Sequence, residues 1–363
     1  MTSLLEEIEK SRRTIKTDNY SMSIGEIINL YIAGDIKLDP AFQRLFRWED
    51  EQKTAFVESI LLGIPIPEIF VAQDAGGKWT VVDGVQRIST ILQLANELPK
   101  YPALKLTKGS YLSALEGKYW TDLPEEAQRL FRRAKLSINI IITEQSIDTQ
   151  YEVFKRLNTG GTHLEDQEIR NCLIIMRDED LYTKINNLKE YPSFKNTLQL
   201  TDKKYAEEYH MELILRYLIA VLGKTNYSNY SLSSIHIGKF LDEETKVLIE
   251  AIQNKTFNLD NEIKHFESVF DWLDATLNGT AFKTYNTAKG TFDGAFSTGA
   301  FEAIVPGVSL HFDRIKSLNL AVFKKRIGEL YANSEYIAAM RHGVRAPVRF
   351  KLLTDFSKEF FSK

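Results

Sequence analysis

The chain has one cysteine, Cys172, in 363 residues. It cannot form an internal disulfide, and one thiolate falls short of a structural zinc site, so the sequence suits a reducing compartment. Long apolar runs are also missing. The most hydrophobic stretch, Leu213 to Leu222, is interrupted by Arg216 and is far shorter than the roughly 20 residues that cross a bilayer. The first residues, Met1 to Lys16, are charged and contain no apolar core of a secretory signal. Six histidines lie scattered with no i, i+4 pair and no cysteine partner, so a histidine-built metal or HNH-type nuclease site has no support. No G-x-x-x-x-G-K-[ST] loop is present, which argues against a P-loop NTPase. Neither charge sign predominates: 46 Lys and Arg against 49 Asp and Glu leave a net charge of -3. Any nucleic-acid contact must therefore use a local patch. These absences describe an expected soluble, cytoplasmic protein without a metal centre of its own.

What is present is patterned. Ile24, Ile27, Ile28 and Tyr31 share one helical face within residues 20–34, which stop at Gly34. A brief strand is expected at 36–38 and a second helix at 50–62. EIFVA at 68–72 and KWTVV at 78–82 read as strands joined by the turn-forming QDAGG. A helix follows Asp83-Gly84, a strand is expected at 136–142, and Thr162 with Glu165 spells a capping box for the next helix. From about 205 onward the periodicity is helical, with loops expected at 224–233 and 283–299. The predicted class is α+β: a helical extension or flexible segment over 1–19, a mixed αβ domain over 20–185 and an all-helical domain over 200–363.

Three blocks carry plausible chemistry. Asp83-Gly84-Val85-Gln86-Arg87 lies at a strand end and helix start, where free amides and the helix dipole attract phosphate and an arginine adds a charged fork. The plain alternative is a D-G turn that caps the helix. Asn158-Thr159-Gly160-Gly161 has the composition of an anion-binding nest, or of a glycine C-cap followed by an N-cap. Phe42 to Trp48, FQRLFRW, interleaves arginine with aromatics, as phosphate contact plus base stacking requires and as snorkelling arginines over a core also produce. Basic clusters at Arg129, Arg132, Arg133 and Lys135 and at Arg341, Arg345, Arg349 and Lys351 suit either solvated helix faces or nucleic-acid backbone.

The ordered set DPAFQRLFRW, GIPIPEIFV, VVDGVQRISTI and VFKRLNTGGTHLEDQEIRN resembles the N-terminal domain of the GmrSD-type restriction endonucleases, over roughly residues 20–180. The resemblance implies a ParB/sulfiredoxin-like domain that binds a nucleoside triphosphate, of unspecified base and with Mg2+, and that governs DNA cleavage in defence against phage. Asp83, Gln86 and Arg87 would then be catalytic. Gln43, Arg44, Gly84, Arg156, Asn158, Thr159, Gly160, Gly161, Glu168, Arg170 and Asn171 would line the nucleotide site. Val85 stands where the family commonly has the first glutamine of a DGQQR loop, so hydrolysis is expected to be weakened. Many larger members carry an HNH nuclease module. The helical half here shows no such motif, so the chain is expected to act as a stand-alone sensor or regulatory subunit with a separately encoded nuclease. Two alternatives stand beside this. One is a DNA-binding module using Arg47, Arg129, Arg132, Arg133, Arg341 and Arg345. The other is a direct nuclease whose metal carboxylates come from Asp83, Asp166 and Glu168.

Overall fold

The computed structural model describes residues 4–6, 16–38, 48–74, 76–99, 101–142, 151–152, 155–156, 165–286 and 289–363. The chain divides into two compact units, Met1–Leu164 and Glu165–Lys363.

The first unit is built on a five-stranded mixed sheet of order β1-β5-β3-β4-β2. Strand β1 (Lys16–Ser23) leads into helix α1 (Ile24–Ala33) and the short β2 (Ile36–Lys37); α2 (Asp50–Leu61) precedes the hairpin β3 (Ile69–Gln73) and β4 (Trp79–Asp83). Helix α3 (Val85–Leu94), a long connection, α4 (Glu125–Arg133) and β5 (Lys135–Ile142) complete it. Ser23 closes the start of α1 by accepting the Glu26 amide at 3.2 Å, and Gly34 ends it at φ 78°. The β3–β4 turn is drawn together by Asp74, whose Oδ1 accepts the amides of Gly76 and Lys78. Ile69, Val71, Val81, Ile138 and Ile140 from the strands are buried, as are Ile27, Val57, Ile88, Ile91 and Phe131 from the helices.

Strand β1 is a correction to the reading of residues 1–19 as an extension and of a helix from residue 20. Its sequence, KTDNYSMS, offers Met22 as its buried apolar side chain while Tyr20 is exposed. It therefore lacks the alternation that marks a strand, and full antiparallel pairing with β5 defines it instead.

The connection after α3 is irregular yet anchored. Glu58 of α2 accepts the amides of Ser110, Tyr111 and Leu112 at 3.2, 2.7 and 2.6 Å, and Thr54 Oγ1 accepts that of Thr107 at 2.9 Å. Without a regular ladder, these side chains satisfy the backbone groups of the loop.

The second unit runs α5 (Asp166–Arg177), α6 (Glu179–Leu188), α7 (Pro192–Leu198), α8 (Asp202–Ala206), α9 (Tyr209–Leu222), α10 (Ile237–Gln253) and α11 (Leu259–Leu277). A hairpin of β6 (Lys283–Asn286) and β7 (Thr291–Phe296) then precedes α12 (Thr298–Leu310), α13 (Phe312–Ile315), α14 (Leu320–Ala332), α15 (Ser334–Ala339) and α16 (Ala346–Ser362). The region is mostly helical but not all-helical, because the expected loop at 283–299 contains the hairpin, with Tyr285 and Phe292 packed at 4.9 Å. Helix α5 begins at Asp166 with a capping box of Glu165 and Glu168, not the expected Thr162 and Glu165; Thr162 itself lies outside the described residues.

Helices α9 and α12 form the centre of this unit. Leu213 through Ala220 and Gly299 through Ser309 are buried without a break. Helix α16 crosses α12 so closely that a Cβ on Gly307 would lie 2.3 Å from the Ser357 carbonyl oxygen. Aromatic rings fill the remaining core: Phe194 meets Phe270 edge-on at 4.9 Å, and Phe270 meets Phe266 at 4.4 Å.

His210, at the start of α9, is buried against Tyr205, and its Nδ1 has no partner among the described residues. Burial favours the neutral ring and lowers its pKa from 6.5 to about 4. The stabilisation is fully present above pH 6.5. It is lost as pH falls toward 4, because the unfolded chain takes up a proton that the folded chain refuses. Denaturant midpoints measured from pH 7 to 4 are expected to reveal up to about 3 kcal/mol of this loss. His210→Phe, which retains the ring contact, should flatten that arm.

Candidate functional site

The Asp83 loop is formed where β4 ends. A register irregularity between Phe70 and Val71 of β3 pairs Phe70 with Asp83, bending the strand end as bulges do beside binding sites. Gly84 then takes φ 92°, ψ 16° and serves as N-cap of α3 with no side chain capping the helix. Only glycine fits here without strain. The left-handed conformation disfavours a Cβ, which would also lie 2.9 Å from Ile69 Cγ1 and 3.3 Å from Arg87 Nε. The helix start is thus left with first-turn amides that no described side chain closes off, at the positive end of the dipole.

Arg87 is committed to holding this loop. Its Nη1 donates to the carbonyls of Pro67 and Glu68 at 2.6 and 2.9 Å, and Nη2 donates to Asp83 Oδ2 at 3.0 Å. The guanidinium is largely covered, while Asp83 is about one-third exposed. Asp83 Oδ1 has no hydrogen-bond partner among the described residues. Glu68 extends the arrangement across the sheet: its Oε2 accepts from Asn139 Nδ2 at 2.5 Å, and Asn139 Oδ1 accepts from Asn19 Nδ2 at 3.0 Å. Gln86 is half-buried, and its Oε1 accepts the Trp48 amide at 3.2 Å. Trp48 in turn packs edge-on against Phe56 at 5.5 Å. Val85 is buried, so its side chain contributes apolar packing.

The structure therefore brings Asp83, Gly84, Gln86 and Arg87 together and adds Trp48, Pro67 and Glu68, which were not singled out as site residues. Their signal was already in the sequence as the ends of FQRLFRW and GIPIPE, but a contact through main-chain groups leaves no mark on residue type. Gln43, Arg44, Arg47, Asn158, Thr159, Gly160 and Gly161 lie outside the described residues. Arg156 is exposed.

Glu168, Arg170 and Asn171 belong to α5 in the second unit, and their side chains are engaged there. Glu168 Oε2 accepts the Glu165 amide at 3.0 Å, and Asn171 Oδ1 accepts from Gln167 Nε2 at 2.8 Å. Arg170 is fully buried. It donates to Asp242 Oδ1 at 3.0 Å and to the Gly238 carbonyl at 3.1 Å, hydrogen-bonds Gln167, and lies 3.8 Å from Glu212. Glu212 pairs with Arg216 at 2.6 Å, Arg216 with Glu302 at 2.6 Å, and Glu302 with Arg349 at 3.0 Å. Burial alone would raise the Glu212 carboxyl, yet the guanidinium groups of Arg216 and Arg170 outweigh it and hold the pKa below the ordinary value.

The basic clusters sit on surfaces. Arg129, Arg132 and Arg133 are exposed on α4, with Arg129 paired to Glu125 at 3.1 Å and Arg132 placed 5.9 Å over the Trp120 ring. Arg341 and Arg345 are exposed in the turn before α16, and Arg345 Nη1 donates to the Ser234 carbonyl at 2.9 Å. Among the described residues, no group of three or more His, Cys, Asp or Glu side chains is placed to hold a metal ion, and no helix is long and apolar enough to cross a membrane.

Residues 24–175 match the family described as GmrSD restriction endonuclease, N-terminal domain. The match runs from α1 to within α5, and so includes both the Asp83 loop and Arg170. No curated protein and no solved structure matches the chain.

Two substitutions test these placements. Gly84→Ala should destabilise the chain by about 1–3 kcal/mol through the forced positive φ and the contact with Ile69, measured by denaturant unfolding. Arg170→Met removes the guanidinium that donates to the buried Asp242 and should cost about 3–5 kcal/mol. The Arg170→Met, Asp242→Leu pair should recover part of that loss, since both charges are then gone.

Proposed function

Residues 24–175 belong to the GmrSD restriction endonuclease N-terminal domain family, which points to a component of a restriction system, and on that premise we propose that the chain binds a nucleoside triphosphate at the Asp83 loop. In this reading it acts as the sensor or regulatory component of an anti-phage system, together with a separately encoded nuclease. The observation that carries the reading is the start of α3, uncapped by any described side chain and presented by Gly84 beside a carboxylate about one-third exposed. Helix amides and the dipole suit the phosphates.

The donor set fits Mg2+ as well. Asp83 would hold the ion through Oδ1, and the ion would supply charge neutralisation at the β- and γ-phosphates. Arg87 takes a different part from that of a phosphate fork. By fixing Asp83 against the Pro67 and Glu68 carbonyls, it keeps the carboxylate and the helix start in one geometry before ligand arrives, which lowers the cost of ordering them on binding. Gln86, joined to the Trp48 amide, ties the first sequence block to the same helix turn. The buried Val85 offers no hydrogen bond to water, so binding is expected to exceed hydrolysis.

The test is thermal unfolding of the purified chain with each of the four ribonucleoside triphosphates and Mg2+. A triphosphate at 100 times its dissociation constant should add about 2.7 kcal/mol. Asp83→Ala should remove the Mg2+-dependent part of the gain, and Arg87→Gln should weaken binding by loosening the loop. If none of the four raises the unfolding midpoint, the reading fails.

A further inference from the structure

The second unit has a groove of about 660 Å3 lined by Asn229, Tyr230, Ser231, Ser234, Ile235, His236, Lys239 and Glu243, within the size range of small-molecule sites. We propose that this groove is a separate binding site for a phosphate ester, remote in sequence from the Asp83 loop and built by residues that the family match does not cover.

Several hydrogen-bond donors in the groove are uncommitted among the described residues. The side chains of Asn229, Ser231 and Lys239 donate to no described residue. His236 Nδ1 accepts the Gly238 amide at 3.2 Å, so in the neutral ring the single N–H is on Nε2, and the side chain is 77% exposed. Arg345 is drawn to the rim by its bond to the Ser234 carbonyl, leaving further guanidinium N–H groups beside the groove.

Three carboxylates lie nearby. Glu243 pairs with Lys246 at 3.2 Å, and Asp166 lies on the Nδ1 side of His236 at 3.7 Å. Glu244 takes the hydroxyls of Tyr230 and Thr225 at 2.6 and 2.5 Å, which also fixes the Tyr230 ring. The donors left over, Asn229 Nδ2, Ser231 Oγ, Lys239 Nζ and His236 Nε2, suit a ligand with several anionic oxygens. Lys239 and Arg345 supply the charge, and Tyr230 with Ile235 supplies an apolar wall for the organic part of the ester.

The ester can come from a free nucleotide or from a nucleic-acid strand, and the probes separate the two. Binding of AMP against adenosine, and of a short oligothymidylate against its uncharged methylphosphonate counterpart, is measured by calorimetry on the full chain and on Asp83→Ala. At least one phosphate-bearing probe should bind in both backgrounds, and its uncharged counterpart at least about tenfold more weakly. Lys239→Glu and Ser231→Asp, both at exposed positions, should each lower the affinity about tenfold with unchanged melting curves. AMP binding identifies the free nucleotide, and binding of the oligonucleotide alone identifies the strand. If neither probe binds, or if both groove variants bind like the parent, the inference is overturned. If Asp83→Ala abolishes all binding, the groove is again excluded, while the reading of the Asp83 loop stands.

Discussion

Six charged side chains in strictly alternating order, Asp242, Arg170, Glu212, Arg216, Glu302 and Arg349, run through the interior of the helical unit. They come from α10, α5, α9, α12 and α16 and tie together its central helices. Arg170 and Glu302 are fully enclosed. An isolated charge at such depth costs several kcal/mol, so each member is tolerable only while its neighbours stay in place. That mutual dependence ties the placement of α9 against α12 and of α5 against α10 to the pairing of these charges. The three arginines and three carboxylates cancel, so the ladder is internally neutral.

Arg87 plays a comparable part in the first unit at a smaller scale. It joins Asp83 to two carbonyls of the strand entry, and the open start of α3 keeps its geometry because of it. In both units an arginine from a recognisable sequence block points inward and holds polar groups of its own chain. The residue type is what phosphate binding would use, but the covered guanidinium and its bonds to Pro67, Glu68 and Asp83 give it a positioning role.

Much of the first unit was legible because its periodicity is strong. The helix at 50–61, the hairpin around Asp74 and the strand at 135–142 follow from apolar spacing and turn chemistry that operate over a few residues. Strand β1 was not legible, since an edge strand with one buried apolar side chain carries no pattern and exists through hydrogen bonds to a partner more than a hundred residues away. The hairpin at 283–296 escaped for a related reason: its half-exposed TYN and TFDGAF segments are polar and glycine-bearing. At the candidate site, the Asp83–Gly84 turn and the helix start were readable, whereas the carbonyls of Pro67 and Glu68 were not, because main-chain acceptors are the same in every residue.

By itself the sequence determined the α+β class, the order of the motif blocks, the family of residues 24–175 and the glycine at the head of α3. Those properties rest on local spacing and on residue chemistry that tolerates no substitute. Tertiary structure alone decided what the arginines do. Arg87, Arg170, Arg216 and Arg349 read alike along the chain, as phosphate ligand, pocket wall, helix interruption and surface cluster. Which carboxylate or carbonyl each one meets depends on helices brought together from distant parts of the sequence. The same holds for the scarcity of thiols and net charge met at the outset: they exclude whole classes of site, but the placement of the remaining charges was settled only when burial made pairing obligatory.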